Sequence, residues 1–137
     1  MSTREIADTL AARNIKPSAQ RLAIMKYLME YHNHPSAEEI YTSLHPDMPT
    51  LSRTTVYNTM KLLEENGAVM ALGIESKNVR YDANMMPHAH FRCRKCGKIY
   101  DMPIPDSLAG CLHQSKDYRI ENVMLYYSGV CKHCMND

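Results

Sequence analysis

Two C-x-x-C pairs constrain this chain more than any other feature. Cys93-Arg94-Lys95-Cys96 and Cys131-Lys132-His133-Cys134 stand 34 residues apart. A C-x-x-C turn delivers two sulfurs from one tight loop, and two such turns complete a closed tetrahedral site of four thiolates about 2.3 Å from a zinc ion. A closed site has no open position for a substrate. Structural Zn(II) on Cys93, Cys96, Cys131 and Cys134 is therefore expected. A redox dithiol or a disulfide is the competing use of either pair, but each needs only one pair. The gap exceeds that of a zinc ribbon, so a helix is expected to be inserted between the knuckles. The fifth cysteine, Cys111, is expected to be a small buried apolar side chain without a ligand role.

With 137 residues, 45% hydrophobic and 23% charged, the chain has room for one domain or two small ones. No apolar run approaches the roughly 18–20 residues that cross a bilayer, and the first residues lack the apolar core of a secretory signal. A cytoplasmic location without a membrane partner is expected, and it agrees with cysteines kept reduced for metal. Sixteen Lys and Arg against fifteen Asp and Glu leave a net charge of +1. Phosphate binding usually shows as a larger basic excess. The imbalance here is local: Arg4, Arg13, Lys16, Arg21 and Lys26 face only Glu5 and Asp8 in the first 26 residues.

The first two thirds read as helices followed by a hairpin. Periodicity predicts a helix over 3–13, broken by Lys16-Pro17-Ser18, and a second from the Ser18 cap through Tyr31 that buries Leu22, Met25, Leu28 and Met29. Ser36-Ala37-Glu38-Glu39 has the form of a capping box, opening a third helix through Leu44. A fourth runs from Arg53 to Asn66, with Gly67 placed for a left-handed cap. Its wheel puts Val56, Met60 and Leu63 on one face and Thr54, Tyr57, Asn58 and Lys61 on the other, so one side packs while the other is free to touch a partner. Residues 68–74 and 78–83 read as strands joined by Glu75-Ser76-Lys77-Asn78. The expected class is α+β: a winged helix-turn-helix over 1–84, a hinge at 85–87 where Met85-Met86-Pro87 holds the chain extended, and a zinc-bearing domain over 88–137. In the last unit, 88–93, 98–102 and 118–130 read as strands and 105–115 as the inserted helix.

A second group of ligand types surrounds the first knuckle. In His88-Ala89-His90, alternate residues of a strand point to one side, so both imidazoles can face one ion. Asp82 ends the hairpin, Asp101 follows the knuckle, and His34 stands before the third helix. Three nitrogens and two carboxylates suit Fe(II) or Mn(II), and would accept Zn(II) or Co(II). Spacing alone does not assemble the five.

The whole series resembles the ferric uptake regulator family, nearest to its peroxide-sensing branch, over almost the full length. The resemblance is carried by His34-Pro35-Ser36-Ala37-Glu38-Glu39-Ile40-Tyr41, Ser52-Arg53-Thr54-Thr55-Val56-Tyr57-Asn58, Arg80-Tyr81-Asp82, His88-Ala89-His90-Phe91-Arg92-Cys93, Cys96-Gly97-Lys98-Ile99-Tyr100-Asp101 and Gly129-Val130-Cys131-Lys132-His133-Cys134. It implies that His34, Asp82, His88, His90 and Asp101 bind a regulatory Fe(II) or Mn(II), and that the chain is a homodimeric repressor of palindromic double-stranded DNA. It further implies that hydrogen peroxide acts at the ferrous site and oxidises a ligand histidine. Asp101 and Asn58 agree with the peroxide-sensing pattern, where iron sensors more often carry Glu and Arg. Glu121-Asn122-Val123-Met124 departs from it, because many members place a histidine there for an additional metal.

On this reading Tyr57 and Asn58 contact base edges, Asn suiting adenine, while Arg53 and Lys61 serve phosphates. No catalytic residue is expected. An iron- or zinc-responsive repressor is the alternative within the family. Outside it stand a zinc-stabilised interaction module without DNA contact and a metal-dependent hydrolase, the latter lacking any evident additional acid or base.

Overall fold

In the computed structural model, which describes residues 2–73, 78–111, 114–120 and 123–136, the chain divides into two compact units between Met85 and Met86. The first contains α1 (Thr3–Ala12), α2 (Ala19–Glu30), α3 (Ala37–Leu44) and α4 (Arg53–Glu65), then β1 (Met70–Leu72) and β2 (Arg80–Asp82). Each helix starts where a serine can satisfy its free amides. The hydroxyls of Ser2, Ser18, Ser36 and Ser52 accept the N–H of Glu5, Arg21, Glu39 and Thr55 at 3.1–3.2 Å. The full reciprocal box forms at Ser2 and Glu5. At Ser36 the expected reciprocal arm takes another form: the Glu39 carboxylate accepts from the Ser36 hydroxyl at 3.2 Å and pairs with Arg80 at 3.4 Å.

Two helices end alike. At α4, Ala68 N–H bonds Leu63 C=O and Gly67 N–H bonds Glu64 C=O, while Gly67 takes φ +74, a Schellman cap. At α1, Ile15 N–H reaches Leu10 C=O, Asn14 N–H reaches Ala11 C=O, and Asn14 takes φ +60. Asparagine therefore stops α1 before Lys16-Pro17 is reached. A Cβ at residue 67 would meet only the tip of Arg13 at 3.5 Å, an ordinary contact. Gly67→Ala should thus lose only the backbone term, about 1 kcal/mol. Urea unfolding of the zinc-loaded protein checks this, and a midpoint equal to wild type would contradict it.

The core of this unit joins Ile6, Leu10, Ile24, Met25, Leu28, Ile40, Leu51, Val56, Met60 and Leu63. α4 buries Val56, Met60 and Leu63 as its wheel requires, with Thr59 beside them. Leu22 and Met29 lie at the edge of the core, and Ile24 takes the inner position. α2 packs against α1, α3 and α4, so it is apolar on several sides and its periodicity marks no single face.

β1 and β2 pair antiparallel with Met70 opposite Asp82 and Leu72 opposite Arg80. They are shorter than the 68–74 and 78–83 read from sequence, and Glu75, Ser76 and Lys77 lie outside the described residues. A third segment joins them: Ser36 forms a bridge with Arg80, and Tyr81 N–H bonds Pro35 C=O at 3.0 Å.

The second unit contains β3 (Ala89–Cys93), β4 (Ile99–Met102), α5 (Asp106–Ala109) and β5 (Tyr126–Gly129). Sheet order is β4-β3-β5, with β4 antiparallel and β5 parallel to β3. The inserted helix is a single turn rather than 105–115, and among the described residues the strand expected over 118–130 is confined to 126–129. α5 buries nothing, and this corrects the expectation for Cys111. Its side chain is exposed, with Sγ on Leu108 C=O at 3.3 Å.

Candidate metal centres

Parallel pairing of β3 with β5 sets Cys93 opposite Gly129 and so carries the second knuckle to the first. Gly97, at φ +77, lets its N–H turn back to Cys93 C=O at 2.9 Å, and Cys134 N–H closes the other turn on Cys131 C=O at 3.0 Å. The four sulfurs lie within 4.8 Å of one another, and none is in a disulfide. Cys96 Sγ and Cys131 Sγ are 3.9 Å apart, close to the roughly 3.8 Å of a tetrahedron with 2.3 Å bonds. The donor set and its spacing fit zinc.

The surroundings favour thiolate. The amides of Cys96 and Cys131 point at Cys93 Sγ from 3.5 and 3.4 Å and hold its pKa down to about 6. A hydrogen bond from the Tyr100 hydroxyl lowers that of Cys131, and raises that of Tyr100 itself to about 12. Cys134 is pushed up to about 12, chiefly by its hydrogen bond with Cys131. Zinc uptake must displace that proton.

The other ligand types occur in both units. In the first unit, His34 precedes the α3 cap by two residues and is 5% exposed, with Asp82 at 6%. Its Nε2 lies 3.4 Å from Asp82 Oδ2. Asn84 N–H fixes the other carboxylate oxygen at 2.8 Å. His34 sits at φ +51, unusual for a residue with a Cβ and kept only where the surroundings impose it. Here the imposition comes from Pro35 and Ser36 being tied to β2, and from Arg80 Nη1 on His34 C=O at 3.4 Å.

In the second unit, His88 Nε2 and His90 Nε2 approach to 2.9 Å. Asp101 Oδ1 is 3.3 Å from the first and 3.4 Å from the second. Register explains this, since His90 stands opposite Asp101 in the β3–β4 ladder. His88 Nδ1 is 2.7 Å from Met86 C=O. A carbonyl can only accept, so Nδ1 carries a proton there, and Nε2 is the ring atom that faces the cluster. Two ligand atoms each about 2.1 Å from an ion stand roughly 3.0–3.4 Å apart. Three donors converging at that spacing are what a divalent cation requires.

The outer face of α4 carries Arg53, Thr54, Tyr57, Asn58 and Lys61, all exposed. Beside it a cleft of about 470 Å³ is lined by Lys16, Ser18 and Arg21 from the start of α2 and by Thr55 and Asn58 of α4. Arg53 has partners: its Nε bonds the Glu38 carboxylate at 3.1 and 3.2 Å, and its guanidinium lies 4.6 Å over the Tyr41 ring. The sequence reading missed Glu38 and Tyr41. Their i, i+3 spacing on α3 puts them on one face, but nothing local says that the face meets Arg53. It also missed the Met86 carbonyl, a backbone group without a sequence signal.

A mixed helix-and-strand protein with a four-thiolate centre and a His/Asp cluster is a metal-responsive regulator by the family it matches. The ferric uptake regulator family model matches residues 12–128, and this chain belongs to that family. Peroxide-responsive repressor PerR of Staphylococcus epidermidis is 34% identical over 131 residues, 94% of this chain and 87% of that protein. The PerR of Staphylococcus aureus strain Mu50 is 34% identical over 130 residues, covering 93% and 88%. Among solved structures, PerR from Streptococcus pyogenes is 31% identical with TM-score 0.53, covering 97% of this chain and 92% of that one. The Helicobacter pylori ferric uptake regulator Fur is 22% identical with TM-score 0.76, covering 98% and 94%, and shows likeness of fold. No helix among the described residues is long and apolar enough to cross a membrane.

Proposed function

We propose that this protein is a cytoplasmic, metal-dependent transcriptional repressor that binds palindromic operator DNA as a homodimer and senses hydrogen peroxide. The observation that carries the reading is the convergence of His88, His90 and Asp101 on one small volume. A regulatory Fe(II) or Mn(II) is held there and by the preformed His34–Asp82 pair, so that its occupancy ties 1–84, a winged-helix domain, to 88–137, the dimerisation domain, across a hinge at 85–87. Structural zinc sits on Cys93, Cys96, Cys131 and Cys134. Metal occupancy becomes DNA affinity by linkage, because a fixed arrangement of two reading helices matches two half-sites one helical turn apart.

α4 is the helix that enters the major groove, Tyr57 and Asn58 meeting base edges while Thr54 and Lys61 meet the backbone. Lys16 and Arg21 in the adjoining cleft supply the basic excess that net charge conceals. Dimerisation is supported by the edge position of β5 and by the exposure of Met124 and Tyr118. A ferrous ion supplies the reducing chemistry toward peroxide, and the ligand imidazoles of His88 and His90 are the groups it would alter. The protein is a regulator and not an enzyme. It shares its signal chemistry with relatives named as peroxide-responsive repressors.

The test is a mobility shift on a palindromic duplex selected from a random pool by the Mn(II)-loaded protein. Binding should appear with Fe(II) or Mn(II), vanish without added metal, and be destroyed by peroxide in the Fe(II) form only. Equal peroxide sensitivity in both metal forms would contradict the sensing mechanism.

A further inference from the structure

We infer that Arg53 is a positioning residue that sets the angle of the DNA-reading helix through α3, and is not one of the phosphate contacts. The inference rests on the reading of α4 as the DNA-reading helix. Arg53 is the first residue of α4, where a cation meets the unfavourable end of the helix dipole. It is held there by two partners on α3. The Glu38 carboxylate takes its Nε through both oxygens, and the Tyr41 ring lies under its plane at 4.6 Å. A phosphate approaching this guanidinium would meet the Glu38 charge about 3 Å away, already neutralising it. Among the described residues Lys61 has no such partner, and it is exposed.

The clamp extends past these three residues. Tyr41 stacks with His45 at 5.0 Å between centroids, and His45 Nδ1 lies 3.2 Å from Leu51 C=O, closing the loop that leads to the Ser52 cap. Glu39, the neighbour of Glu38, pairs with Arg80, two residues from Asp82, and Ser36 bridges that same Arg80. The first turn of α3 thus holds the β2 strand with one carboxylate and the start of α4 with the next. Displacing α3 relative to α4 would move Tyr57 and Asn58 together, since both ride on the same rigid helix.

The two roles differ in salt dependence. A phosphate contact contributes about 0.9 to the slope of log K against log salt, whereas a clamp within the protein contributes nothing to it. Binding of the Mn(II)-loaded full chain to the selected duplex should weaken about three- to tenfold in Arg53→Gln and by a similar factor in Glu38→Gln. The double variant should be no worse than either single one, with all slopes at the wild-type value. Lys61→Gln, as the phosphate control, should lower the slope by about one. The charge swap Glu38→Arg with Arg53→Glu should recover binding, which separates a clamp from general damage to the fold.

A slope reduced by about one in Arg53→Gln, with tighter binding in Glu38→Gln as the cation is unmasked, would overturn the inference. So would a swap that binds no better than the single variants while melting at the wild-type temperature. A wild-type chain that selects no duplex with any metal would sink the reading of α4 itself, an outcome distinct from these.

Discussion

Removing zinc should unfold the second unit while the helical signal of the first persists. The reason is the poverty of the second core. Among the described residues its buried cluster is Cys93, Cys131 and Cys134, with Phe91, Tyr100 and Val130 only partly buried against it, and α5 contributes no buried side chain. Three short strands around such a centre cannot offset the entropy of ordering their backbone, about 1–2 kcal/mol per residue. Four zinc–thiolate bonds supply the missing term, on the scale of about 10–16 kcal/mol for structural sites in small peptides. Cys96→Ser is the sharpest version, because Cys96 is exposed and the change leaves no internal cavity. Hydrogen exchange should show amide protection lost throughout β3, β4 and β5 once zinc falls below about 0.1 equivalent per chain. Protection surviving in a verified zinc-free protein would refute the claim that zinc is the core.

Replacement of His34, Asp82, His90 or Asp101 by Ala should lower metal-activated DNA binding by about 100-fold or more, with one zinc per chain retained. Loss of even an outer partner of a ligand commonly costs 10–100-fold in metal affinity, and the coupling between metal and DNA is lost with the metal. Burial sharpens the expectation for His34→Ala, which leaves the Asp82 carboxylate 6% exposed without its imidazole. Mn(II) titration followed by electron paramagnetic resonance, beside zinc analysis and the mobility shift, reads all three quantities. Wild-type Mn(II) affinity in any of these variants would remove that residue from the ligand set. Asn58→Ala should behave oppositely, binding Mn(II) and zinc normally while losing about 1–3 kcal/mol of discrimination at a single base pair.

Features decided by neighbours in the chain were legible. Ser18 and Ser36 start their helices and Gly67 ends α4 because a cap needs only the next few amides and carbonyls. The packed and open faces of α4 followed from its 3.6-residue period. Less local features did not. The α1 stop at Asn14 was overlooked because Pro17 is the stronger signal, although a left-handed asparagine acts earlier. Cys111 was expected to be buried because free cysteine usually is, and a helix of one turn has no interior to put it in.

The sequence by itself determined the two C-x-x-C turns and the two faces of α4, since a C-x-x-C turn and a helical period are written over a few consecutive residues. Only the tertiary structure decided that Cys131 would meet Cys93, through parallel pairing of β3 with β5, and that His34 would meet Asp82, 48 positions later. It alone turned Arg53 toward Glu38 and Tyr41. These meetings depend on register and helix packing, whose energies are summed over whole elements, and no short stretch of residues records that sum.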